Sequence, residues 1–255
     1  KMKNIFDNKE GIALLISVLI LSFVFGFDVG SKIFVIQNWF RNFFIIVFMV
    51  AFSLLIHVLT VKYFAYRHQC NSEYRIWYIT RFGLKKVERF DKTGTAKALK
   101  GIPLGAFLAV IFAFLTNGLL YFTAIFDNEV TANKTQRVGR KPSELTEYEE
   151  AIIQLSGPLA NITLMVLGIT FGSLFKINTG MFITINFFIA LFCMLPFSSL
   201  AGAKIFFGSR NLYVFGLMLI ILAYVLKDVG LIGAVVLTIV LAALLTGAYY
   251  FLWEN

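Results

Sequence analysis

Charge is scarce in this sequence. Only 15% of its 255 residues are Asp, Glu, Lys or Arg, where a globular domain carries about 25%. The shortage is uneven: the stretches 11–27, 42–61, 101–126, 151–175, 177–203, 211–226 and 229–253 contain no charged residue at all. That patterning excludes a soluble globular class. Cysteine is equally sparse. Cys70 and Cys193 stand far apart with no Cys-x-x-Cys spacing, so no disulfide framework or paired-cysteine metal site is legible. Histidine occurs twice, at His57 and His68, and none of the uncharged runs offers an acid as a proton acceptor. Internal repeats, low-complexity tracts and a separable soluble domain are also missing. The first apolar run follows Lys1, Lys3 and Lys9 as a secretory signal would. It leads into Phe27-Asp28-Val29-Gly30 with no Ala-x-Ala-like site, and so reads as a retained helix.

What the chain has in abundance is apolar side chains, 59% of the total, with a mean hydropathy of +0.81. A helix needs about 20 apolar residues to cross a bilayer, and lipid offers no partner to an open backbone. The runs show no strict alternation, which favours helices over a barrel. The expected fold is all-α: a polytopic integral membrane protein of six to seven transmembrane helices. It forms a single transmembrane domain over 1–255, ending in C-terminal helices within 211–253.

Two polar stretches set the expected topology. Residues 66–101 hold nine Lys or Arg against three acids, and 127–150 hold four basic residues against six acids. Lys and Arg accumulate in cytoplasmic loops. The N-terminus and 66–101 are therefore expected inside, and 127–150 outside, in the plasma membrane of a prokaryote. The net charge of +9 is then explained by these loops and by anionic lipid contact, with no nucleic acid as partner. Tyr63, Tyr66, Trp77 and Tyr78 read as an interfacial aromatic belt. Glu73–Trp77 is too short to span and should lie on the surface or re-enter.

Three stretches carry chemistry. His57 stands in Leu55-Ile56-His57-Val58-Leu59-Thr60-Val61, and an ionisable residue inside an apolar span is costly enough to be a functional-site candidate. Ser156-Gly157-Pro158-Leu159-Ala160-Asn161 places Gly-Pro inside a second span, where it should kink or break the helix and free backbone groups that Asn161 could satisfy. Leu195-Pro196-Phe197-Ser198-Ser199-Leu200-Ala201-Gly202-Ala203-Lys204 follows Asn186 and Cys193. It suggests a bent hairpin between Pro196 and Gly208.

In this order the three stretches resemble the site-2 protease family of intramembrane zinc metalloproteases, with its His-Glu-x-x-His, Gly-Pro-x-x-Asn and Leu-Asp-Gly motifs. The likeness covers a core of about 42–208, and Glu73–Trp77 is similar to an archaeal-type branch. The resemblance implies a zinc ion held by two histidines four apart and an aspartate, with a glutamate as general base. At those positions this chain has His57, Val61 and Ala201, and Val58 in place of the base. The other donors do not make up the loss. His68 is about 16 Å from His57 along a continuous helix. Cys193 together with His57 still falls short of the three ligands a catalytic zinc uses. No catalytic residue and no cofactor is expected, although zinc is what the family binds.

The retained polar residues admit two readings. Gly157, Pro158, Asn161, Asn186, Pro196 and Gly202 line a groove for a transmembrane segment, as the resemblance implies. Otherwise Asn161 and Asn186 are polar contacts between helices, and His57 is a buried histidine hydrogen-bonded to a neighbouring helix. The expected function is that of an inactive homologue, a pseudoprotease that binds or scaffolds other transmembrane proteins, with transmembrane helices and lipids as partners. An active metalloprotease with a relocated site is one alternative. A transporter or channel built on broken helices is another.

Overall fold

The computed structural model describes residues 6–27, 36–78, 103–133, 137, 144–197, 200–228 and 231–253. Helix α1 (Asn8–Phe25) starts on a capping box, in which the Asp7 N–H donates to Glu10 Oε2 at 3.0 Å and the Asp7 side chain caps the first turn. Helix α2 (Ile36–Arg67) follows, 32 residues or about 48 Å long. Gln69, at φ 58°, reverses the chain into strand β1 (Cys70–Ile76). Helix α3 (Leu104–Leu115) ends in a turn where Asn117 and Gly118 take φ of 50° and 78°. Five residues without regular structure then lead into strand β2 (Phe126–Ala132).

Helix α4 (Glu147–Phe175) begins on Thr146, whose hydroxyl accepts from the Glu149 N–H, and Glu147, Glu149 and Glu150 fill the first turn. Negative charge there complements the helix dipole. Helices α5 (Gly180–Cys193), α6 (Ala201–Gly208), α7 (Arg210–Val225) and α8 (Leu231–Trp253) complete the chain, with a single 3₁₀ turn at Leu226–Asp228.

The chain is mostly helical, and α1, α2 and α4 are long and apolar enough to cross a membrane. Not every uncharged run becomes such a helix. The run 101–126 breaks at Asn117-Gly118, and 177–203 breaks after Cys193, leaving α3 and α5 with 12 and 14 residues. Those lengths give about 18 and 21 Å, short of the roughly 30 Å hydrocarbon core. The all-α expectation also needs correcting, because β1 and β2 form an antiparallel ribbon with Cys70 opposite Ala132 and Ile76 opposite Phe126.

That ribbon runs against the expected topology. It sets 126–132 beside 70–76, so the described parts of the two polar segments lie together and not at opposite ends of the molecule. The start of α1, the end of α2 and the start of α4 gather at the same end of the molecule. Glu10 meets Lys62 there, at 2.8 Å to both carboxylate oxygens. His68 and Arg137 both approach Glu149. The basic residues from Arg81 to Lys100 lie outside the described residues.

Side chains close the ribbon's two outer edges. Along β1, the Tyr74 N–H donates to Glu10 Oε1 at 2.9 Å and Lys62 Nζ donates to the Ser72 carbonyl at 3.2 Å. Along β2, the Asn128 carbonyl accepts from Gln154 Nε2 at 2.6 Å and from Lys204 Nζ at 2.7 Å. An unpaired strand edge is a template for further pairing, and here helices α1, α2, α4 and α6 occupy it. The core divides around α5. Ile185, Ile189 and Cys193 pack with α1, α2 and Phe126, whereas Ile183, Ala190 and Met194 pack with α4 and α7.

Candidate functional site

His57 sits three turns before the end of α2 and is buried. Its Nδ1 lies 3.2 Å from Asn161 Oδ1 on α4. With that oxygen accepting, a neutral imidazole carries its proton on Nδ1. The Phe126 ring stands edge-on to the imidazole, with centroids 5.2 Å apart and planes at 80°. The Cε1–Nε2 edge of the ring rests on Gly157: a Cβ at that glycine would meet Cε1 and Nε2 at 2.5 Å and Val61 Cγ2 at 3.0 Å.

His57 and Val61 on α2, each a turn apart, therefore interlock with Gly157 and Asn161 on α4, also a turn apart. The glycine permits the close approach of two backbones, and the asparagine supplies the polar contact, as small and polar residues do between helices in lipid. Of the two readings of Asn161, the contact between helices is the one this geometry shows.

Pro158 does not break α4, which runs unbroken from Glu147 to Phe175. A proline deprives the carbonyl four residues back, here Gln154, of its helical donor. One residue earlier, the Ser156 hydroxyl donates to the Ile153 carbonyl at 2.6 Å. Asn161 spends its oxygen on His57, not on repairing the helix. Asn186 also differs from the interhelical contact expected, since its Nδ2 donates to the Phe182 carbonyl of its own helix at 2.9 Å. The reason is local: a carbonyl one turn back is always within reach of a helical side-chain amide.

The positions where the family carries its metal set are apolar and closed. Val58, Val61 and Ala201 are at most 6% exposed. Val58 packs with Leu54, Phe126 and Cys193, and Val61 with Cys70, Val130 and Ile153. Among the described residues no three His, Cys, Asp or Glu side chains come together to hold an ion. Zinc does not fit this donor set: one imidazole is already bonded through Nδ1, and the other motif positions hold valines and an alanine. Of the groove candidates, Gly157, Pro158, Asn161, Asn186 and Gly202 are buried and Pro196 is exposed. The site is thus a closed helix seam in this conformation. The chain does reverse after α5. Gly202 lies so close to it that a Cβ would meet the Met194 carbonyl at 2.3 Å.

One cluster was not legible beforehand. Lys204 Nζ on α6 reaches Asp127 Oδ1 at 2.9 Å and Oδ2 at 3.2 Å, with Glu150 Oε1 at 3.9 Å. Burial pushes the Asp127 carboxyl above the usual carboxylate range, against the opposing pull of Lys204. The sequence offers little signal for it, since Asp127-Asn128-Glu129 are three polar residues in a row and only the fold buries them alternately.

No protein-family model, curated protein or solved structure matches this chain. The likeness to site-2 proteases therefore rests on its own residues.

Proposed function

We propose that this chain is an integral membrane protein and a catalytically inactive relative of the site-2 proteases, whose role is to bind or scaffold other transmembrane proteins. One observation carries the reading. The residues it shares with the family motifs, His57, Gly157 and Asn161, meet in a single contact, while the metal and base positions hold valine and alanine. A framework retained around a site without ligands suits holding better than cutting. Because the seam is closed, a partner helix either parts α2 from α4 or docks beside the exposed Pro196.

In this reading the chain crosses the membrane six or seven times, with the shorter helices crossing together with the segments that adjoin them. The common end of α1, α2, α4 and the ribbon is assigned to the cytoplasm in this reading, because 66–101, whose described part includes strand β1, holds nine Lys or Arg against three acids. A transporter or channel is the second reading. It is favoured by Thr123, Ala124 and Ile125, buried without regular structure beside α5, since non-helical backbone at membrane depth marks such proteins.

The test is metal retention and crosslinking together. Protein purified in detergent, saturated with zinc and washed should keep far less than one ion per chain, and should leave a membrane-embedded helix uncut. A photocrosslinker at Pro196 in native membranes should trap a transmembrane protein. One zinc per chain that is lost in His57→Ala would overturn the reading.

A further inference from the structure

Three polar groups without a partner lie in the seam between α2, α4 and α5. Asn161 gives its oxygen to His57, and its Nδ2 bonds to nothing. Asn186 gives its amide nitrogen to Phe182, and its Oδ1 bonds to nothing. Ser53, one turn before His57, has an unpartnered Oγ. All three residues are fully buried, at 0% exposure.

Packing brings them within about one helical turn of one another. Gly168 of α4 abuts Phe182 and Ile183 of α5, and these helices run antiparallel. Asn161, seven residues before Gly168, is therefore level with residue 190, about 6 Å along the axis from Asn186. On α2, Phe52 packs on Phe182 with centroids 6.4 Å apart, so the neighbouring Ser53 is level with the turn that ends at Asn186. Around α5, Asn186 falls in the sector between Ile185 and Ile189, which face α1 and α2, and Ile183 and Ala190, which face α4 and α7. That sector faces the line where α2 meets α4.

We propose that water is bound in this seam, bridging Ser53 Oγ, Asn161 Nδ2 and Asn186 Oδ1 beside His57. The three groups form a complementary set: an amide donor, a carbonyl acceptor and a hydroxyl able to act as either. A buried water makes two to four hydrogen bonds to groups of this kind. Left bare in an apolar interior, each would bear the full desolvation cost of an unpaired polar group. The orientation of Asn186 is fixed, because turning its amide over would set its oxygen against the Phe182 carbonyl. This inference goes beyond the scaffold reading, since the water depends on the polar groups and not on any partner.

The test is magnetisation transfer from water to the asparagine side-chain amides in ¹⁵N-labelled protein reconstituted in liposomes. The exposed Asn71 serves as a positive control, and Asn161→Asp assigns the Asn161 signal. A water cross-peak at Asn161 Nδ2 that is lost in Asn186→Leu is the expected result. Ser53→Ala, the milder change, should weaken it and serves if Asn186→Leu does not fold. A silent Asn161 amide beside a visible Asn71 overturns the proposal. So does a cross-peak that neither substitution alters.

Discussion

The Cε1 and Nε2 atoms of His57 lie where a side chain at Gly157 would have to stand, 2.5 Å from the position of its absent Cβ. The His57 ring and the Gly157 backbone are in direct contact. This contact fixes how closely α2 and α4 approach, and it makes Gly157→Ala an overpacking change. A loss of roughly 1–3 kcal/mol is expected, read as a lower denaturant midpoint in detergent. Wild-type stability in that variant would show that the helices are not held this close.

The His57–Asn161 hydrogen bond should show as coupling between the two residues. In a double-mutant cycle of His57→Ala and Asn161→Ala, an interaction energy of about 0.6–1.7 kcal/mol is expected, the range found between membrane helices. Strict additivity would remove the bond from the account of this seam.

Asn71 faces Thr131 across the ribbon, and both are exposed. Cysteines introduced at either position should react with a membrane-impermeant thiol reagent from the same side, and the pair should crosslink on oxidation. Cys70 and Cys193 are buried, which keeps the background low. Labelling from opposite sides would restore the topology expected from charge alone.

Glu10 and Lys62 form a pair whose side chains are 8% and 17% exposed, and both also bond to the backbone of β1. Glu10→Gln should cost about 2–3 kcal/mol, less than the roughly 3–5 kcal/mol of a fully buried broken pair. Glu73→Gln removes a partner of Arg75 at an exposed site and should cost less than about 1 kcal/mol. Equal losses in the two variants would deny the buried pair its role in docking the ribbon.

Asp127 carries a pH signature. Its carboxyl titrates above the ordinary range because burial outweighs Lys204, so the folded chain holds that proton more tightly than the unfolded chain. The resulting stability is complete below the ordinary carboxyl pKa and is lost as pH rises through the folded value. Relative to Asp127→Asn, the wild type should therefore lose stability over that interval. A difference between the two proteins that does not change with pH would contradict it.

How much could be read beforehand divides along physical lines. The long apolar helices α1, α2 and α4 were legible because length and uncharged composition are properties of each segment by itself. That Val58, Val61 and Ala201 offer no donor atoms was legible for the same reason, since it holds in any fold. The breaks in 101–126 and 177–203 were harder to read. Asn117-Gly118 is a turn dipeptide inside a run that is otherwise apolar. The β1–β2 ribbon stayed hidden because each strand has seven residues and only its partner makes it a strand.

The sequence by itself determined that this chain is rich in apolar helices and that a zinc site has no ligands at the places where the resemblance seeks them. Tertiary structure decided what the surviving residues do. Gly157 and Asn161 converge on His57, Lys204 reaches across to Asp127, and two polar segments far apart in sequence share one ribbon. Those outcomes depend on which helix lies against which. Composition and motif spacing constrain that choice only weakly, whereas close packing of glycine against imidazole fixes it.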